Sequence, residues 1–264
     1  MRILLAVAGA HMRIALGIEY DGSQFFGWQS QTGGGTVQDA LQTALSSIAG
    51  EVIATIAAGR TDAGVHALEQ IVHFDTSVAR PLTAWVRGVN SLLPKSIAVL
   101  WAHIVPDEFH ARFSAQSRSY CYLLINRPVR SAVQYGRVGW YHAPLDEKIM
   151  CVAAKYLLGE HDFSAFRAAE CQAKSPVKNL TQLAITRQGD NIIFDLNANA
   201  FLHHMVRNII GCLVYVGKGK HPPLWMRDVL ESRNRHLAAP TFAPDGLYLR
   251  HIAYDAKWGL PQIA

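Results

Sequence analysis

The chain has 264 residues, carries 25 Lys and Arg against 20 Asp and Glu for a formal net charge of +5, and is 50% hydrophobic. This balance excludes a disordered polyelectrolyte and a collagen-like repeat, and fits a packed globular protein of one large or two modest domains. No apolar run approaches the ~20 residues needed to cross a bilayer.

The N-terminus is the first feature in chain order. Arg2 precedes the apolar run Ile3 to Ala10, and Ala8-Gly9-Ala10 has the small residues of a leader cleavage site. The run is short and weakly charged, and a second methionine, Met12, directly precedes a well-patterned strand. Residues 1–12 are therefore expected to be an extension outside the fold. From Arg13, the residues Ile14, Leu16, Ile18 and Tyr20 alternate onto one face of a strand. A Gly-rich loop ends at Gly33-Gly34-Gly35. Thr36 is then placed to cap a helix whose apolar positions are Val37, Ala40, Leu41, Ala44, Leu45 and Ile48. Strands are expected at 52–59 and 68–76, a helix over 81–93 and a strand over 97–105.

The second half repeats this order. A strand is expected at 118–125, a helix at 145–158 and strands at 180–187 and 192–199 joined through Gln188-Gly189-Asp190-Asn191. A helix at 203–217 and a strand at 247–254 follow. The fold class expected is α+β: two ferredoxin-like βαββαβ units with mainly antiparallel sheets and helices packed on one face. The first unit spans 13–110 and the second 111–264, with the two sheets expected to form one continuous body.

Charge is unevenly placed. Residues 106–137 hold five arginines against two acidic residues, and residues 203–236 hold six basic side chains against two. The rest of the chain is slightly acidic. These basic segments also contain Tyr120, Tyr122, Tyr135, His203, His204 and His236, a mixture suited to phosphate contact and base stacking, although two solvated basic surfaces would have the same composition. The cysteines Cys121, Cys151, Cys171 and Cys212 form no C-x-x-C pair and read as buried small hydrophobes in a reducing compartment, which points to the cytoplasm.

The stretch most suggestive of chemistry is Ala58-Gly59-Arg60-Thr61-Asp62-Ala63-Gly64-Val65-His66-Ala67, between two expected strands. Its glycines allow close backbone approach while the loop presents one cation and one carboxylate. It is not a phosphate loop, since no G-K-S/T follows. By composition it could equally be a tight hairpin with a surface ion pair. His66, His73, His203 and His204 match no zinc-ligand spacing, so no metal is expected.

This stretch resembles the catalytic motif of the TruA family of tRNA pseudouridine synthases. Further matches follow in order: Tyr20-Asp21-Gly22 with Phe26-Gly27-Trp28-Gln29, Thr36-Val37-Gln38, Phe113-Ser114-Ala115 with Arg118-Ser119-Tyr120-Cys121-Tyr122, Phe201-Leu202-His203-His204-Met205-Val206-Arg207-Asn208, and Asp245-Gly246-Leu247-Tyr248-Leu249. The resemblance runs from Arg13 to the C-terminus and implies the pseudouridine synthase fold. It implies a cofactor-independent isomerase that converts uridine to pseudouridine in the anticodon stem-loop of tRNA, at positions 38, 39 and 40 in tRNA numbering. It assigns Asp62 as the catalytic nucleophile, Tyr120 as the stacking partner of the target uracil, Arg60 as the group that fills the vacated stem, and Arg207 as the ion-pair partner of Asp62. Leu247 is either a pocket wall or plain core. A homodimer contacting one tRNA with both subunits is implied. Whether Asp62 attacks ribose, attacks uracil or abstracts a ribose proton is left open. The alternative is a non-catalytic RNA-binding protein of ferredoxin-like fold; a metal-dependent hydrolase is a third reading.

Overall fold

The computed structural model describes residues 11–261, so residues 1–10 of the expected extension lie outside the described residues, while Met12, expected to stand outside the fold, instead opens the first strand opposite Thr76. The first strand, β1 (Met12–Tyr20), buries both faces from Ile14 to Ile18 rather than one. Trp101 lies over Gly17, where a Cβ would collide with its indole, so the alternating pattern concealed a covered second face.

Helix α1 (Val37–Ala49) starts where expected: the Thr36 side chain accepts from the Asp39 N–H, and Gly50 ends the helix in the left-handed region. The strand expected at 52–59 shrinks to β2 (Ile56–Ala57). Side chains of α1 take the donors that would have built the ladder, with Ile53 N–H going to Ser46 Oγ and Thr55 N–H to Gln42 Oε1. β3 (His66–Thr76) follows. The helix expected over 81–93 is a π-turn over Ala84–Gly88 running into α2 (Val89–Leu92), and β4 (Ile97–Val105) closes the first half.

The second half comprises β5 (Ala115–Asn126), β6 (Gly139–Tyr141), α3 (Glu147–Ala154), β7 (Gly159–Asp162), β8 (Val177–Gln188), β9 (Asn191–Ala198), α4 (Met205–Gly217), α5 (Trp225–Ser232) and β10 (Leu247–Tyr254). The hairpin turn lies where it was expected, with Gln188 paired to Asn191. Three elements escaped the sequence pattern: β6, β7 and α5. The first two are three and four residues long, too short for any period to register.

All ten strands join one sheet of order β4-β1-β3-β10-β5-β9-β8-β7, with β2 on β3 and β6 on β5. The first half has the ferredoxin-like spatial order β4-β1-β3-β2, and the second repeats it as β10-β5-β9-β8, with β7 added beyond β8 and β6 on β5. The halves meet where β10, the last strand of the second, pairs parallel to β3 at His66 and Ala67. Further along the same edge of β3, His73 and Val72 pair with β2. The loop 58–65 therefore leaves the sheet beside the seam between the halves. Two hydrophobic clusters flank that seam. One is built mostly from residues 14–111 with Leu249 and Ile252 from β10, the other from residues 122–247 with Val65. Tyr120 packs partly against both.

Candidate active site

The loop carrying Asp62 is braced by the loop that follows β1. Trp28 N–H donates to Thr61 O at 3.0 Å, Gly64 N–H donates to Phe25 O at 3.4 Å, and Tyr20 Oη lies 2.8 Å from Thr61 Oγ1. Glycine is required at the closest approaches. A Cβ on Gly22 would lie 1.9 Å from Val65 O, and one on Gly27, whose φ is +89°, would lie 2.8 Å from Thr61 O.

His66, at the end of the loop, is buried. It accepts the Gly22 N–H at Nδ1, places Nε2 3.1 Å from Asp245 O and stacks on Tyr248 with ring centroids 4.6 Å apart. His73 accepts the Ala111 N–H at Nδ1. Both histidines serve the scaffold.

Asp62 is 17% exposed at its side chain and meets three cationic or titratable groups from one short stretch at the start of α4. Arg207 Nη1 donates to Oδ2 at 2.8 Å. His204 Nε2 lies 3.4 Å from the same oxygen, and His203 Nε2 lies 3.2 Å from Oδ1. Arg207 is itself fixed, since its Nε donates to Phe242 O at 2.9 Å. Burial alone would raise the Asp62 carboxyl above the usual range. The hydrogen bonds from His203 and Arg207 outweigh that and hold it below, so it is ionised at neutral pH. His203 is raised, chiefly by its bond to Asp62, whereas His204 is lowered, chiefly by burial.

The helix expected over 203–217 starts two residues later than the pattern suggests. The helix begins at Met205, with His204 outside it in the left-handed region, and α4 is buried nearly all round. Asn208 is fully buried and donates to Phe166 O, while its Oδ1 accepts from Arg235 and Thr241. Arg207, from the first turn of α4, and His204, from just before it, reach Asp62, whereas Asn208 turns into the core.

Tyr120 lies on β5 opposite Leu249 on β10 and Leu196 on β9, with its ring edge-to-face against Phe201 at 5.0 Å. Burial, then the nearby Tyr20 and Asp62, push its phenol up, so the hydroxyl stays neutral. Arg60 is exposed and reaches across the seam, its Nη1 donating to Gln172 Oε1 at 3.3 Å. Leu247 is 5% exposed and belongs to the second cluster. Cys171 and Cys212 are buried, as expected of small hydrophobes, but Cys121 and Cys151 are only half-buried.

The histidines at 203 and 204 are what reasoning from zinc spacing missed: they meet the carboxylate rather than following a metal motif. Their adjacency to Arg207, within one turn of the same helix start, was the available signal. Asp62, His203 and His204 offer ligand atoms within 4.8 Å of one another. A cation there would compete with the Arg207 guanidinium, which already neutralises Oδ2.

A carboxylate held by arginine in a loop beside the seam, near a tyrosine, concentrates the chain's chemistry, and sequence comparison gives its family. The tRNA pseudouridine synthase family matches residues 17–114 and 153–255. The chain belongs to this family, whose members isomerise uridine to pseudouridine. The tRNA pseudouridine synthase A of Dechloromonas aromatica is 60% identical over 250 residues, covering 95% of each chain. That of Methylobacillus flagellatus is 60% identical over 250 residues, covering 95% of this chain and 96% of its own. The Janthinobacterium enzyme of the same name is 57% identical over 261 residues, covering 97% and 96%. Among solved structures, a chain of a Cbf5-Nop10-Gar1 complex aligns over 85% of this chain and 60% of its own, at 10% identity and a TM-score of 0.36.

Proposed function

We propose that this chain isomerises uridines of the tRNA anticodon stem-loop, at positions 38, 39 and 40 in tRNA numbering, as a cytoplasmic homodimer. The observation that carries the site assignment is the Asp62–Arg207 pair at 2.8 Å, set in a loop braced on both sides. In this reading Asp62 is the nucleophile. A carboxylate already ionised and partly desolvated needs no general base before it acts, and a fixed arginine on one oxygen limits its rotation.

Tyr120 offers an aromatic face beside the seam, and a uracil turned out of the stem stacks on it; such stacking tolerates different neighbouring bases. Arg60, exposed and tethered only at its tip, occupies the position the base leaves. Arg207 keeps Asp62 oriented while the target uridine is in place. The exposed basic residues of 106–137 and 203–236, such as Arg112, Arg130, Lys218 and Lys220, contact the phosphates, which makes affinity fall with salt.

An unmodified tRNA transcript incubated with the protein and mapped for pseudouridine at single-nucleotide resolution tests this. Pseudouridine should form in the anticodon stem-loop. Asp62→Asn should lower the rate by about 10^4-fold while tRNA binding, followed by gel shift, is retained. Wild-type protein that binds tRNA and leaves the stem-loop unmodified would refute the reading and favour the non-catalytic module.

A further inference from the structure

Among the described residues, His204 and Arg233 are the non-glycine residues with positive φ, and His204 stands at φ 62° and ψ 2° immediately before α4. A β-carbon in that region is strained, and a helix start would ordinarily take an extended residue whose side chain caps the helix. The His204 side chain makes no capping bond. Its turn does something else: it brings Nε2 within 3.4 Å of Asp62 Oδ2, while His203 reaches Oδ1 at 3.2 Å and the two imidazole centroids sit 4.0 Å apart. Backbone strain retained at a residue whose side chain makes no cap bond points to a role at the site that side chain addresses.

The three groups divide the carboxylate unequally. Oδ2 carries both Arg207, anchored at Phe242 O, and the half-buried His204, 28% exposed at its side chain. Oδ1 carries only His203, 40% exposed, whose backbone N–H donates to Cys171 Sγ on an adjoining loop. An oxygen bonded by an anchored arginine and closed in by a second ring at 3.4 Å is poorly placed to react, and one facing a single exposed ring can be released by an incoming substrate.

Building on the function proposed above, we infer that His204 is a positioning residue whose strained backbone locks Asp62 Oδ2 together with Arg207, and that His203 reserves Oδ1, the oxygen presented to the uridine. This goes beyond naming the carboxylate: it says which oxygen acts and which residues choose it.

The test separates the side chain from the backbone. His204→Gly keeps the left-handed turn and deletes the imidazole, while His204→Gln restores an Nε2 donor at similar reach. At saturating tRNA, His204→Gly should lose about 10–100-fold in kcat, with KM changed less than threefold and thermal stability unchanged or raised. His204→Gln should recover most of that loss. His203→Gln, which keeps a donor toward Oδ1, should lose less kcat than His204→Gly, because a reserving contact is dispensable once substrate has entered. Fully active His204→Gly would show that only the turn matters and would overturn the inference. So would a His203→Gln variant as inactive as Asp62→Asn, since His203 would then act in the chemistry itself.

Carbon-13 titration of the Asp62 carboxyl gives an answer that does not depend on turnover. The midpoint should rise in His204→Gly, and an unchanged midpoint overturns the clamp even if wild-type protein proved inactive on tRNA. Inactive wild type with a shifted midpoint would instead sink the proposed function and leave the clamp standing.

Discussion

At the scale of single residues, what a side chain touches outweighs what it is. Of the four histidines that might have suggested a metal, His66 and His73 satisfy backbone N–H groups inside the scaffold, while His203 and His204 face the Asp62 carboxylate. The two scaffold positions could not be told from the site by sequence, because an imidazole accepts a hydrogen bond as readily in a core as in a cleft. His73 carries a consequence for stability. Burial, then the charges of Arg13 and His110, depress its pKa from 6.5 to about 4, partly offset by Asp75. Between those values the unfolded chain holds a proton that the folded chain does not, so stability falls as pH drops through that window. Denaturant melts from pH 7 to 4 should show wild type losing about 2 kcal/mol relative to His73→Gln. Parallel curves for the two proteins would place the acid sensitivity elsewhere.

At the scale of elements, periodicity and caps were good guides wherever the side chains acted locally. Thr36 caps α1, Gln188 to Asn191 turns the hairpin, and the seven longer strands with α1, α3 and α4 fall within a few residues of the pattern. The failures have physical causes. β2 is short because Ser46 and Gln42 on α1 capture its donors. The start of α4 is displaced because His204 takes a conformation that no helical period encodes. The loop after β1 shows the reverse: Gly22 and Gly27 stand out in the sequence only through the family resemblance, yet they are where backbone meets backbone under Asp62. Gly27→Ala forces a Cβ into Thr61 O and strains a left-handed φ, at a cost of about 1–3 kcal/mol. Its kcat should fall at least tenfold while circular dichroism shows an intact fold. Wild-type turnover in that variant would mean the Asp62 loop does not depend on this brace.

At the scale of the whole molecule, β10 determines how the halves combine. It belongs by sequence to the second half, yet Leu249 and Ile252 bury into the first hydrophobic cluster, while Leu247 buries into the second. Leu249 pairs with Ala67 on one side and Tyr120 on the other. Truncating it opens a cavity where the Asp62 loop, Tyr120 and the seam converge. Leu249→Ala should cost about 2–5 kcal/mol, and calorimetry should show one cooperative transition shifted down as a unit. Two resolved transitions, with one unmoved, would mean that the clusters melt independently.

By itself the sequence determined the α+β class, the order of the main elements, the clustering of basic charge and the resemblance that singles out Asp62, Tyr120, Arg60 and Arg207. Those features are carried by local period, capping and spacing, which are properties of neighbouring residues. The single ten-stranded sheet, the insertion of β10 beside β3, and the grip of His203, His204 and Arg207 on one carboxylate were decided by tertiary structure. Each joins residues more than a hundred positions apart, and only packing against a shared core brings such residues within hydrogen-bonding reach.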